Sequence, residues 1–154
     1  MATPASINPR IIEGLYCEAL VLSDDVRTAF LALGGSDGSD TTDDARVALS
    51  CEALRTTTRM MHAVAWLLNH RAFFAGDLSE FQLRRHGRLV DFPEGEPRHL
   101  ALLDQGMRQL VKTTERFHAR LKRLDNGWRE RAPATTTSAV ARLRERLAQQ
   151  VASH

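Results

Sequence analysis

The chain has 154 residues and a formal net charge of +2, which suits one soluble domain. Hydrophobic residues make up 43% and charged residues 26%, so we expect a folded protein. The longest apolar run, 63–68, is far shorter than the ~18 residues that span a bilayer. Residues 1–10 lack the basic and apolar regions of a secretory signal. These features predict a cytoplasmic, single-domain protein.

Charge is spread unevenly along the chain. Residues 1–44 hold eight acids and two arginines, a net charge of −6, and the remaining 19 basic and 11 acidic residues give +8. Such asymmetry is typical of an interaction surface or of complementary faces that pair internally. The sequence leaves both interpretations open.

Apolar residues recur every three or four positions in the first segment, which predicts a helix over about 9–33. Asn8-Pro9 can begin this helix, and the Gly- and Asp-rich residues 34–40 can end it as an acidic loop. The predicted buried face consists of Ile12, Leu15, Ala19, Leu22, Val26, Ala29 and Leu33.

A second helix is predicted over about 44–75, with Asp43 or Asp44 as its cap and Gly76 as its end. Its predicted buried face consists of Val47, Cys51, Leu54, Thr58, Met61, Ala65, Leu68 and Ala72. Further apolar residues lie around the rest of the helix, namely Met60, Val64, Trp66, Leu67, Phe73 and Phe74. A helix that is apolar on most of its circumference is buried on most of it, so we expect a short helix or a second subunit to cover the surplus.

A short helix is predicted over about 79–88, opened by the capping box Ser79-Glu80-Phe81-Gln82. A third long helix is predicted over about 98–126, ended by Asn126-Gly127 and Pro133. Its predicted buried face consists of Leu100, Leu103, Met107, Leu110, Thr114, Phe117, Leu121, Leu124 and Trp128.

Together these segments predict an all-α fold: an antiparallel three-helix bundle over 1–131 with a short extra helix. Residues 132–154 are predicted to form an amphipathic or flexible tail, with Val140, Leu143, Leu147 and Val151 on one face. An amphipathic helix of about 14 residues is marginal alone, so we expect this tail to dock weakly, to order on binding or to contact a second protomer.

Motifs for catalysis are scarce. The chain has no Gly-rich phosphate loop, no nucleophile elbow and no CxxC pair. Glu115-x-x-His118 has the spacing of di-metal bundles, but such sites need a second inward-facing motif and two more glutamates. We expect the six histidines to be partly exposed and unliganded, and Cys17 and Cys51 to be small core residues. The sequence predicts no enzyme activity, no catalytic residues, no metal site and no cofactor.

A basic ribbon follows the third helix and offers an alternative function. It consists of Arg108, Lys112, Arg116, Arg120 and Arg123. Such a ribbon can bind nucleic-acid phosphates, or it can be a solvated face that pairs with the acidic first helix.

A polar run, Arg55-Thr56-Thr57-Thr58-Arg59, lies within the predicted second helix. Threonine is a mediocre helix former, so tertiary hydrogen bonds are expected to hold this stretch in place. Glu18 on the first helix is the predicted partner of Arg55 or Arg59 in a structural polar network.

Several of these stretches together resemble a bacterial family, that of the regulator of CtrA degradation (RcdA-like). The resemblance covers about 7–128 and is most specific in the second helix. It lies in Leu15-Tyr16-Cys17-Glu18-Ala19, in the run from Leu54 to Met61, in Ala65-Trp66-Leu67-Leu68, in Arg71-Ala72 and in Gly76-Asp77-Leu78.

This resemblance implies a helical, homodimeric, non-enzymatic adaptor that delivers regulatory proteins to the ClpXP protease in the cell cycle. Its partners would be ClpXP components, response regulators or other adaptors. Candidate residues for the partner or dimer surface are Trp66, Arg71, Phe73, Phe74 and Asp77. We expect homodimerisation through the surplus apolar surface of the second helix or through the tail.

Overall fold

A computed structural model describes residues 7–34 and 42–152, without the side chains at 33–34, 132–139 and 141–142. Described residues form five helices and no strand: α1 (Pro9–Gly34), α2 (Asp43–Ala75), α3 (Glu80–His86), α4 (Pro97–Leu100) and α5 (Gln105–Ala152). The predicted all-α bundle is therefore confirmed. The acidic loop predicted at 34–40 lies almost wholly outside the described residues.

The helices begin and end largely where local sequence signals indicate. The Asn8 side chain accepts a hydrogen bond from the Ile11 amide at the start of α1. The Ser79 capping box opens α3, as predicted. Gly76 ends α2 with φ 85°, a left-handed conformation that glycine adopts without strain. Thr42, rather than Asp43 or Asp44, caps α2.

The long helices pack with α2 in the centre. α1 runs antiparallel to α2, as shown by the ion pair between Glu13 near the start of α1 and Arg71 near the end of α2. α2 and α5 instead run in the same direction: Arg59 bonds to Thr114, and Trp66 bonds to Asp125. The predicted antiparallel arrangement of the three long helices is therefore wrong for α5, although the all-α bundle itself is confirmed.

Residues 76–104, which we call the return segment, explain this direction. They carry the chain back along α2 and α5: Leu89 bonds to Asp125, Pro93 to Arg59, and Glu96 to Glu52. Within the segment, Leu83 and Leu89 are buried. α5 therefore starts at Gln105, later than the predicted 98, after Asp104 accepts a hydrogen bond from the Met107 amide.

α5 continues through Asn126-Gly127 and Pro133 to Ala152, so the predicted stop at 126 is wrong. Tertiary contacts hold the chain helical past the Asn-Gly pair. Asp125 binds Arg129 one turn later, and Arg129 donates to the carbonyl of Arg84. The tail therefore extends α5 instead of forming a separate helix. Among the described residues, no helix combines the length and apolar character that crossing a bilayer requires.

Candidate interaction surface

The predicted orientation of α1 is confirmed and that of α2 is wrong. In α1, Ile12, Leu15, Ala19, Leu22 and Val26 are buried as predicted. In α2 the predicted face turns outward, with Leu54 71% exposed and Met61 65% exposed. The buried residues of α2 are Ala48, Glu52, Thr56, Arg59, Met60, Ala63, Trp66, Leu67 and His70.

An open apolar groove lies between α1 and α2, with a volume of about 670 Å³. On the α1 side it is lined by Leu20, Ser23, Val26, Arg27, Phe30 and Leu31. On the α2 side it is lined by Thr57, Met60, Met61, Val64, Ala65 and Leu68. Large side chains of the groove, such as Leu31, Met61 and Leu68, are exposed in the single chain. Apolar surface of this extent is typical of protein interaction sites.

A polar cluster on the opposite side of α2 explains why the groove faces outward. The Arg59 guanidinium is buried and donates to Thr114 Oγ1 and to the Pro93 carbonyl, both at 2.9 Å. It also lies 3.8 Å from the Glu115 carboxylate. Burial lowers the pKa of Arg59 below its ordinary value, and Glu115 and Glu52 oppose that shift.

Glu52 extends this cluster to the return segment. Its buried carboxylate accepts from Arg55 at 2.7 Å and from the Glu96 amide at 3.1 Å, and lies 3.3 Å from His99 Nδ1. Buried charges are tolerated when they are paired and hydrogen-bonded in this way. Glu52 and Arg59 therefore fix this side of α2 against α5 and the return segment.

A second polar cluster surrounds the two tryptophans. Trp66 is 2% exposed, and its indole N–H donates to Asp125 at 3.1 Å. The same carboxylate accepts from the Leu89 amide and from Arg129. The His70 ring packs against Trp66, with ring centroids 4.1 Å apart and ring planes tilted by 47°. These contacts tie α2, α5 and the return segment together.

Two histidines are buried, whereas we predicted partly exposed ones. Burial is the largest cause that lowers the pKa of His70 to about 4. The Asp125 carboxylate raises this pKa in part, and the Arg129 cation lowers it further. Burial also lowers the pKa of His118, aided by Arg59 and Lys122. In the part of the chain that the structure describes, neither ring nitrogen of His70 has a hydrogen-bond partner. Both histidines are therefore neutral in the folded protein near neutral pH.

The predicted partner residues have different environments. Trp66 is buried inside the chain, so it cannot contact a partner; its aromatic ring and N–H hold the fold instead. Phe73 and Phe74 are half-buried and touch each other, with ring centroids 5.2 Å apart. Arg71 binds Glu13 at 2.6 Å and lies over the Tyr16 ring. Asp77 is exposed beside the end of α2.

The predicted pairing of Glu18 with Arg55 or Arg59 is wrong. Glu18 binds Arg120 of α5, Arg55 binds Glu52, and Arg59 points toward α5. The error follows from the rotation of α2, because the side that carries these arginines faces away from α1. The expectation that tertiary hydrogen bonds stabilise the polar run is confirmed at Arg59.

Other sequence candidates have structural contacts. Glu115 accepts from the Gly95 amide at 2.7 Å. Cys17 and Cys51 are exposed free thiols, not core residues. The described residues contain no group of three or more His, Cys, Asp or Glu that could hold a metal ion.

Two arginines of the basic ribbon contact other groups of the protein. Arg120 is paired with Glu18, and Arg116 donates a hydrogen bond to Thr113. Part of the basic ribbon therefore binds protein groups.

The groove itself was missed by the sequence reasoning. Leu20 and Leu31 lie outside the predicted buried face of α1. These two leucines are the residues of α1 from which the groove could have been predicted. Together with Met60 and Val64 of α2, they indicate an apolar strip on each of two neighbouring helices. The rotation that brings the two strips together depends on Glu52 and Arg59, whose burial the sequence does not reveal.

Comparison with known proteins places the chain in a family. No curated protein matches the chain. No solved structure matches it either. A family model described as "Protein of unknown function (DUF1465)" matches residues 3–151. The chain therefore belongs to this family.

Proposed function

We propose that this protein is a non-enzymatic interaction protein, an adaptor that delivers regulatory proteins to the ClpXP protease in cell-cycle control. The observation that supports the interaction role is the exposed apolar groove between α1 and α2. An adaptor needs no chemistry of its own, because it acts by holding a client and a receptor together and raising their effective concentration. A groove between two helices suits an amphipathic helical segment of a partner.

The more specific role, delivery to ClpXP, rests on the resemblance to the RcdA-like family. The residues that carry this resemblance lie both in the buried interior and in the groove. The run Leu54–Met61 supplies Arg59 to the buried cluster and Met61 to the groove. The stretch Ala65–Leu68 supplies buried Trp66 and the groove residue Leu68. The resemblance therefore covers both the scaffold and the proposed binding surface.

An affinity capture from the native host tests this role. The bait is the full chain, compared with the double variant M61E/L68E, which places two charges in the groove. A matched control is Leu54→Glu, on the same helix and exposed, but outside the groove lining. We expect the wild type and the control to recover ClpX, a response regulator or another adaptor, and the groove variant to lose the client. Recovery of none of these by the wild type contradicts the adaptor role.

A reconstituted degradation assay gives a direct readout. Purified ClpXP degrades a captured client with and without this protein, and we expect faster degradation in its presence. Equal rates with and without the protein would contradict delivery to the protease.

A further inference from the structure

The basic ribbon lies on the outer face of α5. At ~3.6 residues per turn, its five side chains fall within about 120° of the helix circumference. The buried residues Met107, Thr114 and Leu121 lie on the opposite side of the helix. Four of the five ribbon residues are exposed, and Arg108 is half-buried. From Arg108 to Arg123 the ribbon therefore faces solvent along about 22 Å of the helix.

Most charges of the ribbon are unpaired. Arg120 forms an ion pair with Glu18 of α1. The other four ribbon residues form no ion pair with any residue that the structure describes. Two acids lie in the same stretch of α5, Glu115 and Asp125, but both point toward the return segment and accept backbone hydrogen bonds there. The outer face of α5 therefore presents four unpaired positive charges.

The same face lacks the apolar side chains that a protein partner would cover. Among the described residues between 105 and 131, no large hydrophobic side chain is exposed. Interfaces between proteins have an apolar core from which charged residues are depleted. Phosphate contacts, in contrast, require only cations and hydrogen-bond donors. The composition of this face therefore favours a nucleic-acid backbone over an acidic protein.

Duplex DNA suits this face better than other nucleic acids. Single strands bind by stacking on exposed aromatic rings, but Phe117 is buried and Trp128 packs against His70. A B-form duplex carries one negative charge per ~1.7 Å of its axis, and its major groove, ~12 Å wide, admits an α-helix. The major groove of A-form RNA is deep and narrow. A ribbon of this length can therefore contact several phosphates of a DNA duplex, whatever its base sequence.

We propose that the basic ribbon on α5 binds the phosphate backbone of duplex DNA without reading the base sequence. This function goes beyond the adaptor role and does not depend on it. The groove lies between α1 and α2, whereas the ribbon lies on the side of α5 that points away from the core. DNA bound to α5 therefore leaves the groove accessible.

Fluorescence anisotropy of a labelled DNA duplex with the purified full chain tests the proposal. Three exposed charges of the ribbon are removed in the ribbon variant, K112Q/R116Q/R123Q. Three exposed arginine charges elsewhere are removed in the control variant, R10Q/R46Q/R98Q, which has the same formal net charge. At low salt we expect the ribbon variant to bind at least about tenfold more weakly than the wild type, and the control variant to bind nearly as well as the wild type. Circular dichroism checks that both variants fold.

The salt dependence of binding gives a second measurement. With four phosphate contacts, the wild-type affinity is expected to fall about a hundredfold between about 50 and about 200 mM salt. The ribbon variant retains about one contact, so its affinity is expected to fall only about threefold to fourfold over this range. Duplexes of equal length and unrelated sequence are expected to bind equally, because phosphates carry no sequence information.

Other outcomes overturn the proposal. Equal losses in the ribbon and control variants would assign binding to the net charge of the protein. Tighter binding of a single strand or of an RNA duplex of the same length would show that duplex DNA is not the ligand. Equal binding of a polyglutamate peptide would assign the face to an acidic protein, and no binding of DNA at low salt would make the ribbon a solvated face. Because these measurements involve no client and no protease, their failure is distinguishable from a failure of the adaptor role.

Discussion

The two long sides of α2 differ in a way that runs against the usual rule for helices. The side that faces α5 and the return segment buries Glu52, Arg59 and His70. The side that faces away exposes Leu54 and Met61. Glu52 and Arg59 can lie on this inner side because they find several hydrogen-bond partners there. Apolar side chains need no such partners, so they can lie on the outer side, which faces away from α5. Hydrogen-bond partners, more than hydrophobicity, therefore decide how α2 is rotated.

The largest effect is expected from Arg59 on the inner side. Replacing Arg59 by Ala removes donors from Thr114 and the Pro93 carbonyl and leaves Glu115 without its cation. We expect the free energy of unfolding to fall by about 3–5 kcal/mol, as for other broken buried pairs. Urea unfolding measures this change. Arg46→Ala, an exposed arginine of the same helix, is the control, and equal losses for the two variants would contradict the buried role of Arg59.

A smaller effect concerns His70 and pH. Its pKa is about 4 in the folded protein, against about 6.5 in an unfolded chain, so the unfolded chain binds more protons between these values. The stability contributed by neutral His70 is therefore fully present above pH 6.5, falls by about 3 kcal/mol as the pH drops toward 4, and levels off below.

His70→Phe tests this pH dependence, because it keeps an aromatic ring between Trp66 and Trp128 and cannot be protonated. We expect the variant to lose much less stability than the wild type between pH 6.5 and 4, measured by urea unfolding at each pH. His118 titrates in the same direction, so a smaller slope remains. Parallel pH profiles for the wild type and the variant would refute the assignment to His70.

A still smaller effect is expected at Glu18, which pairs with Arg120 at the surface. Both side chains are nearly half exposed, so solvent screens their attraction. Glu18→Gln is expected to cost less than about 1 kcal/mol in thermal or urea unfolding. A loss of several kcal/mol would show that Glu18 has a buried partner after all.

The smallest effect on the single chain is expected at Met61, on the outer side of α2. Because its side chain is exposed, Met61→Glu should change the intrinsic stability by no more than about 0.5 kcal/mol. Urea unfolding at a concentration where the protein is monomeric measures this term apart from any partner. A large loss there would mean that Met61 is buried within its own chain and would remove the contrast between the two sides.

Much of the fold could be predicted because its signals are local. The starts of α1 and α3 follow from Asn8 and from the Ser79 capping box, and the end of α2 follows from Gly76. The end of α5 could not be predicted in this way. The Asn126-Gly127 signal is overridden by Asp125 and Arg129, whose partners Trp66 and Arg84 are distant in the sequence.

By itself, the sequence determined the all-α class, the approximate extents of α1 and α2 and the buried face of α1. Helix formation and capping depend on neighbouring residues, and α1 has one clear apolar face. The tertiary structure decided which side of α2 is buried, the parallel course of α2 and α5, and the existence of the groove. α2 is apolar around most of its circumference, so its rotation depends on where Glu52, Arg59 and Trp66 find hydrogen-bond partners, and those partners come from α5 and the return segment.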